Sequence, residues 1–338
     1  MQFEPAKDAS PSAPDVAVLL ATHDSVPFIQ PQIASLLENS TPFTLHWLDD
    51  HSKDETRPLV RRVAERLRLP LREWHQDRPL GVPGVFFRLL ECVDADIYLF
   101  CDHDDIWELG KIDATVADLA GCIAEPALNF SEPWVFQDAA PEQRIGYYRF
   151  MRVTAAQARE PSTAFTFNPA VGNTVGVTRA LRELFLLQRG IARDHAVMHD
   201  WWLYLLGTAC GRATLLQGVP TALYRQHARN VLGAGSGASR RSIALMWERQ
   251  KMIRRLVARQ ARGFQRACGA LPPKAASRTL LETAPLAAAL DRRQSPRDLL
   301  TLLGQGVLPA PLSRRLWYSA ACLLSSASAT ADMRLGAV

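Results

Sequence analysis

Residues 96–107 read DIYLFCDHDDIW, and this stretch decides the fold. Ile97 to Cys101 is a short apolar run of the kind that forms a strand covered on both faces. Where the run stops, the chain places Asp102, Asp104 and Asp105. Taken alone, these carboxylates fit either a solvated acidic turn or a seat for a cation.

Similar runs lie on the N-terminal side. VAVLLA (16–21), FTLHWLDD (43–50) and LREWH (71–75) predict further strands. Helical periodicity follows Pro27 through Ile29, Ile33, Leu36 and Leu37. Ser52-x-x-Glu55 predicts a capping box opening a helix through Leu59, Val63 and Leu67, with Asp54 and Glu55 in its first turn. Residues 83–93 predict another helix. Strands alternating with helices define an α/β class with a mostly parallel sheet flanked by helices. Ligands of such sheets bind at the carboxyl ends of the strands, so THD (22–24), DDHS (49–52) and DHDD (102–105) are expected to share one crevice. Loops are expected over 125–178, then helices at 179–188 and 200–207 and strands near 213–217 and 221–225.

The chain has 338 residues, 48% of them hydrophobic, enough for a sizeable core and too apolar for wholesale disorder. Its six cysteines show no C-x-x-C or framework spacing, which suits reduced thiols in a cytoplasmic protein. The start, MQFEPAKDASPSAP, is acidic and proline-rich, unlike a secretory signal, and no apolar run approaches the roughly 18–20 residues of a membrane span.

The net charge of +5 is unevenly spread. Residues 1–238 carry 22 basic and 29 acidic side chains, whereas 239–338 carry 17 and 5. The sign changes at LGAGSGAS (232–239). This divides the chain into a flexible tail (1–14), an α/β domain (15–235) and a basic helical extension (236–338). In the extension Ile243, Met246, Trp247, Ile253, Val257, Ala261 and Phe264 recur at helical spacing among arginines, predicting a basic amphipathic helix, and 312–325 suggests another. Such a segment suits a solvated cap on the domain, a membrane-surface anchor using Trp247, Phe264, Leu316 and Trp317, or nucleic-acid binding. No recognised nucleic-acid module accompanies the charge.

Carboxylates at i and i+2 past a strand can reach one hard cation, and Mg²⁺ or Mn²⁺ would take its remaining ligands from water and a diphosphate. Asp200 fits a helix cap as well as a base, and His227 fits an ordinary surface histidine. Trp201 and Trp202 read as helix-face packing ahead of a sugar platform. His46, His75 and His195 read as structural or solvated.

Seven segments, in order over roughly 15–233, resemble the family 2 glycosyltransferases of GT-A fold, in particular their bacterial rhamnosyltransferase-like branch. They are VAVLLATHDSVPFIQPQIASLL, LDDHSKDET, PLGVPGVFFRLL, IYLFCDHDDIW, NPAVGNTVGVTRAL, HDWWLYLL and LYRQHARNVLG. The resemblance implies a donor-nucleotide site of Thr22, Asp24, Asp50, Gly81, Arg88, Asp102 and Arg225. It implies metal ligation by Asp104 with Asp102 and His227, general-base action by Asp200, and an acceptor side at Asn173, Trp201 and Trp202. Asp105 is given no definite role.

The activity it implies is inverting transfer of a sugar, rhamnose from dTDP-rhamnose in the first place, though a UDP-sugar also fits. The acceptor would be a hydroxyl of a polysaccharide or lipid-linked oligosaccharide, which makes membrane-surface anchoring at the cytoplasmic face of the inner membrane the favoured reading of the extension. An Asp with the reference pKa of about 3.9 would be ionised at neutral pH, ready to accept the acceptor's proton. His23-Asp24 stands where relatives often have Tyr-Asn, Pro79 and Val85 where they have Asn, and Asn173 where they have Cys or Met. The replacements at His23, Pro79 and Val85 leave open an inactive scaffold homologue, and a sugar nucleotidyltransferase can share this sheet and metal.

Overall fold

The computed structural model describes residues 13–219, 221–227, 240–269 and 278–308, together with 315–316, 319–320 and 322–323. In chain order the elements are β1 (Val16–Thr22), α1 (Ile29–Ser35), β2 (Thr44–Asp49), α2 (Thr56–Arg66), β3 (Leu71–Trp74), α3 (Gly81–Cys92), β4 (Ile97–Asp102), β5 (Ile106–Trp107) and α4 (Lys111–Leu119). There follow β6 (Ala127–Ser131), β7 (Trp134–Gln137), β8 (Ala140–Gly146), α5 (Tyr147–Phe150), α6 (Ala155–Ala158), β9 (Gly176–Thr178), α7 (Arg179–His195), α8 (His199–Cys210), β10 (Arg212–Leu216) and β11 (Ala222–Arg225). Helices α9 (Arg240–Cys268), α10 (Arg278–Ala288) and α11 (Pro296–Gly304) complete the described chain.

The main sheet runs β10-β6-β9-β4-β1-β2-β3. Its neighbours pair in parallel except β9, which is antiparallel to both β4 and β6. Strand side chains alternate across the pleat, and that alternation builds two cores. Ala17, Leu19, Tyr98 and Phe100 face α3, α7 and α8, whereas Val16, Val18, Leu20, Ile97, Leu99 and Cys101 face α1, α2 and α4. Each large apolar side chain so buried contributes about 1.5–3 kcal/mol. This is why β1 and β4 read as continuous apolar runs rather than alternating ones. The register sets Thr22 beside Asp49 and Ala21 beside Asp102, so the polar ends of β1, β2 and β4 share one edge, as expected.

The other differences from the sequence reading have local causes. Ser52 does not cap α2. Its hydroxyl donates to Asp49 Oδ1 at 2.6 Å, and the helix begins at Thr56 with neither Asp54 nor Glu55 in its first turn. The segment 125–178 is not all loop. It holds β6 and β9 of the main sheet, and β7 and β8 of a second sheet ordered β5-β11-β7-β8. This second sheet brings β11, and with it Arg225, against the turn after β4.

Helix α9 is amphipathic as predicted, but the part of its apolar stripe that lies among the described residues is buried against the protein. Val257, Ala261 and Phe264 are at most 1% exposed and belong to the same core as α7 and α8. Phe264 meets Phe165 and Trp202 edge-on, with ring centroids 5.6 and 5.7 Å apart. At Gly263 a Cβ would lie 2.2 Å from the Cβ of His195, so only glycine lets α9 approach α7 this closely. Several arginines of α9 are likewise engaged. Arg254 donates to the Leu290 and Arg292 carbonyls, Arg259 to the Ala196 carbonyl, and Arg262 to the Ala288 carbonyl and to Asp291. The core is continuous across the sign change in charge.

None of the helices, over the described residues, is long and apolar enough to cross a membrane, and all six cysteines are free thiols. Residues 1–12 of the tail, the joint 232–239, Trp317 and the side chains of Ile243, Met246 and Trp247 lie outside the described residues.

Candidate active site

The turn after β4 is built around Asp105, which is fully buried. One of its oxygens accepts the Asn173 amide, and the other accepts the Arg225 backbone N–H at 3.0 Å. Arg225 also donates Nε–H to the Asp104 carbonyl at 2.7 Å and pairs with Asp138. His227 Nε2 is hydrogen-bonded to Asp104 Oδ2 at 2.8 Å. Phe28 stacks on the His227 ring, with centroids 4.8 Å apart, and lies under the Arg225 guanidinium, 5.3 Å away. The turn, β11 and the start of α1 therefore form one face of the site.

Asp200 lies close enough for its charge to act on Asp102. It lies in the first turn of α8, only 7% exposed, and its Oδ1 accepts the Trp201 backbone N–H at 2.6 Å. The Gly172 N–H and the Asn168 side chain also donate to it. A Cβ at Gly172 would lie 3.4 Å from Asp200 Oδ2 and 3.1 Å from His199 Nε2, so glycine keeps the loop tight against the carboxylate.

Charge is unevenly held in this cleft. Burial raises the Asp200 pKa to about 7, against the hydrogen bonds it accepts. The expectation that it is fully ionised at neutral pH is therefore corrected: desolvation disfavours its charged form. Burial, together with the charges of Asp104 and Asp200, pushes Asp102 up to about 8. Asp104 is held below the usual carboxylate range. Burial alone would raise it, but the His227 hydrogen bond and the His103 and His227 rings outweigh that.

Asp102 and Asp104 thus crowd negative charge that a divalent cation would relieve, and their oxygen donors suit Mg²⁺ or Mn²⁺. Among the described residues no three His, Cys, Asp or Glu side chains are placed to hold an ion together. Asp102, Asp104 and His227 therefore do not make a closed cage, and an ion here would draw on water and phosphate oxygens as well.

The other sequence-predicted residues fall into place unequally. The Thr22 hydroxyl, 2% exposed, is held by Asp49 at 2.8 Å and by Trp47 Nε1 at 2.9 Å. Asp50 accepts the Leu80 and Gly81 N–H groups, each at 2.8 Å, tying the start of α3 to the end of β2. Asp24 adopts a left-handed backbone conformation and accepts Lys53 N–H at 2.7 Å. Arg88 sits two turns along α3, exposed, with Glu91 3.7 Å away, and no described contact ties it to the cluster. Trp201 donates Nε1–H to the Ala164 carbonyl at 2.7 Å, and Trp202 is wholly buried against Phe264. Both pack the helix, the reading favoured from sequence.

Two residues carry more than the sequence suggested. Asp105 is the hub of the turn. His199 is wedged between Phe86 and Phe100, ring centroids 4.0 and 4.9 Å away, with its pKa lowered to about 3 by burial. It locks the start of α8 as a neutral ring. An adjacent HD pair opening an apolar helix was the available signal.

A mostly parallel sheet of this order, flanked by helices, is the architecture of a GT-A glycosyltransferase. Residues 17–121 match the family model Glycosyl transferase family 2, and the chain is a glycosyltransferase carrying that domain. It is 26% identical over 263 residues to the dTDP-rhamnosyl transferase RfbG of Shigella flexneri, covering 72% of this chain and 83% of that one.

Solved structures extend the likeness in fold. Residues 1–349 of S. aureus TarS with UDP-GlcNAc superpose with a TM-score of 0.53 at 15% identity, covering 91% of this chain and 79% of that one. The mannosyltransferase PcManGT of Pyrobaculum calidifontis, with GDP-Man and Mn²⁺, gives 0.52 at 18% identity, covering 92% and 86%.

Proposed function

We propose that this protein transfers rhamnose from dTDP-rhamnose, with inversion, to a hydroxyl of a polysaccharide or lipid-linked oligosaccharide, using Mg²⁺ or Mn²⁺. The observation that carries this reading is the buried Asp200 carboxylate, whose charge acts on Asp102 at the turn after β4. Inverting transfer needs a base on one side of the sugar and a stabilised leaving diphosphate on the other. The rhamnosyl transferase relative supports the choice of donor, and the Mn²⁺-bearing mannosyltransferase supports the cation.

When bound, the cation would offset the charge developing on the departing diphosphate. Asp104 with Asp102 would hold it there, and His227 would steady Asp104. The chain's own part is to orient and to move one proton. The Asp200 carboxylate takes the acceptor hydroxyl's proton, and Gly172 N–H, Asn168 and Trp201 N–H keep it aimed. Arg225 adds positive charge beside the turn, and Gly81 N–H at the start of α3 caps Asp50 next to where the nucleotide would lie. A nucleotidyltransferase has no use for a base at Asp200, and a scaffold would bind no nucleotide.

The base must be deprotonated to act, and its pKa is raised to about 7. Activity is therefore lost as pH falls through 7. With dTDP-rhamnose and a lipid-linked acceptor, kcat/KM should rise with pH along a limb centred near 7. A limb near 4 would show that Asp200 is either solvated or not the base.

We place the protein on the cytoplasmic face of the inner membrane, through the outer side of α11 rather than the buried stripe of α9. Leu300 and Leu303 are 69% and 38% exposed there, with exposed Arg292, Arg293 and Arg297 nearby. Each arginine near an anionic leaflet is worth about 1 kcal/mol. Co-sedimentation with phosphatidylglycerol vesicles should fall several-fold in a Leu300→Glu/Leu303→Glu variant. Equal sedimentation of the two proteins would remove this surface from consideration.

A further inference from the structure

We propose that the buried Asp105–Asn173 contact is a positioning device: it fixes the loop that aims the base Asp200 to the turn that carries Asp104. The inference rests on the function proposed above. It assigns roles to two side chains that are wholly buried and bonded to each other.

The chain of contacts is short. Asp105 and Asn173 are both wholly buried, and the Asn173 amide donates to Asp105 Oδ2. Residue 172, next in the chain, donates its N–H to Asp200 and lies against both Asp200 and His199. On the other side, Asp105 Oδ1 accepts the Arg225 N–H at 3.0 Å, while Arg225 Nε–H reaches the Asp104 carbonyl at 2.7 Å. A rigid path therefore runs from Asp104 through Asp105 and Asn173 to Gly172 and Asp200. Every link is a hydrogen bond, a peptide unit or a van der Waals contact. Geometry of this kind matters because a shift of about 1 Å in a reacting group can cost on the order of a hundredfold in rate.

The chemistry of the pair dictates an asymmetric response to substitution. Asn173→Asp removes the amide donor and sets a second buried carboxyl group against Asp105, beside Asp104 and Asp102, so the two oxygens must separate or share one proton, and either outcome resets the spacing that the amide holds. Asp105→Asn is mild. The new amide keeps an oxygen toward Arg225 N–H and turns its NH₂ toward Asn173, whose own Oδ1 has no other partner among the described residues and can accept after an amide flip. Combining the two restores a hydrogen bond of reversed polarity, so the second substitution should repair the first.

The test compares wild type, both single variants and the double variant. Turnover of dTDP-rhamnose, the Kd of dTDP with Mn²⁺, and the thermal midpoint are measured on each. Asn173→Asp should lower kcat by about a hundredfold while the Kd changes less than about threefold. Asp105→Asn should stay within about tenfold of wild type, and the double variant should recover at least about tenfold over Asn173→Asp.

A merely structural role would lower the midpoint and spoil nucleotide binding together with kcat. Wild-type turnover in Asn173→Asp, or a double variant no better than it, would overturn the proposal. Should wild type turn over no nucleotide sugar, the proposed function fails. The midpoints of the four proteins then decide the contact: suppression of the Asn173→Asp loss by Asp105→Asn upholds it, and additive losses sink it.

Discussion

Asp200→Asn should lower sugar transfer by about 10²- to 10⁴-fold, the contribution of a positioned general base, while leaving Mn²⁺-dependent nucleotide binding intact. The side chain keeps its shape and its remaining oxygen can still accept from Trp201 N–H. The variant should also be more stable than wild type at neutral pH, and the sign follows from burial. The folded-state pKa of Asp200 is raised from 3.8 to about 7, so its ionised form is disfavoured in the folded protein. Below the unfolded value the carboxyl is protonated in both states and costs nothing. As pH rises through 4 to 7 the unfolded chain ionises and the folded one resists, and the full penalty is present above 7. Three pKa units correspond to about 4 kcal/mol, an upper bound on the gain. Denaturation of the two proteins at pH 4 and pH 8 checks this: the variant's advantage should appear at pH 8 and vanish at pH 4. A variant that transfers sugar at the wild-type rate would remove Asp200 from the reaction.

Asp104→Asn should have the second large effect, on binding rather than on proton transfer. Asp104 is the carboxylate held ionised in the free protein, and His227 is already turned toward it. An amide oxygen there has no net charge to offer a divalent ion. The Mn²⁺-dependent gain in nucleotide affinity should therefore fall by about a hundredfold or more, the scale associated with losing a metal contact or its support. Weak metal-free nucleotide binding should be unchanged. Asp102→Asn should be milder, because burial and the charges of Asp104 and Asp200 already disfavour the ionised form of Asp102.

How far the sequence foretold these features depends on whether the information is local. The apolar runs of β1, β2 and β4, and the polar residues at their ends, follow from chain-local chemistry, and their convergence follows from the register of a parallel sheet. Strands β7 and β8 were hidden because WVFQ and APEQRIG are short and partly polar, and APEQRIG carries Pro141. The Ser52 cap failed because Asp49, three residues earlier at the end of β2, captures the hydroxyl, and the tertiary neighbour Asp24 donates its N–H to that hydroxyl's oxygen. The role of Asp105 could not be read, since its partners lie 68 and 120 residues away. The Asp200 pKa is likewise a property of burial, which only the packed α8 and the 168–173 loop create. Sequence periodicity showed that α9 has an apolar stripe, but not that α7, α8 and α10 cover it.

The central claim is a cation-dependent nucleotide-sugar site at Asp102 and Asp104, and calorimetric titration of dTDP into the wild-type protein tests it most directly. With Mn²⁺ present dTDP should bind at least about tenfold more tightly than without it, and the difference should disappear in Asp104→Asn. Binding of dTDP, UDP and GDP that is absent, or indifferent to Mn²⁺, in the wild-type protein would contradict the account.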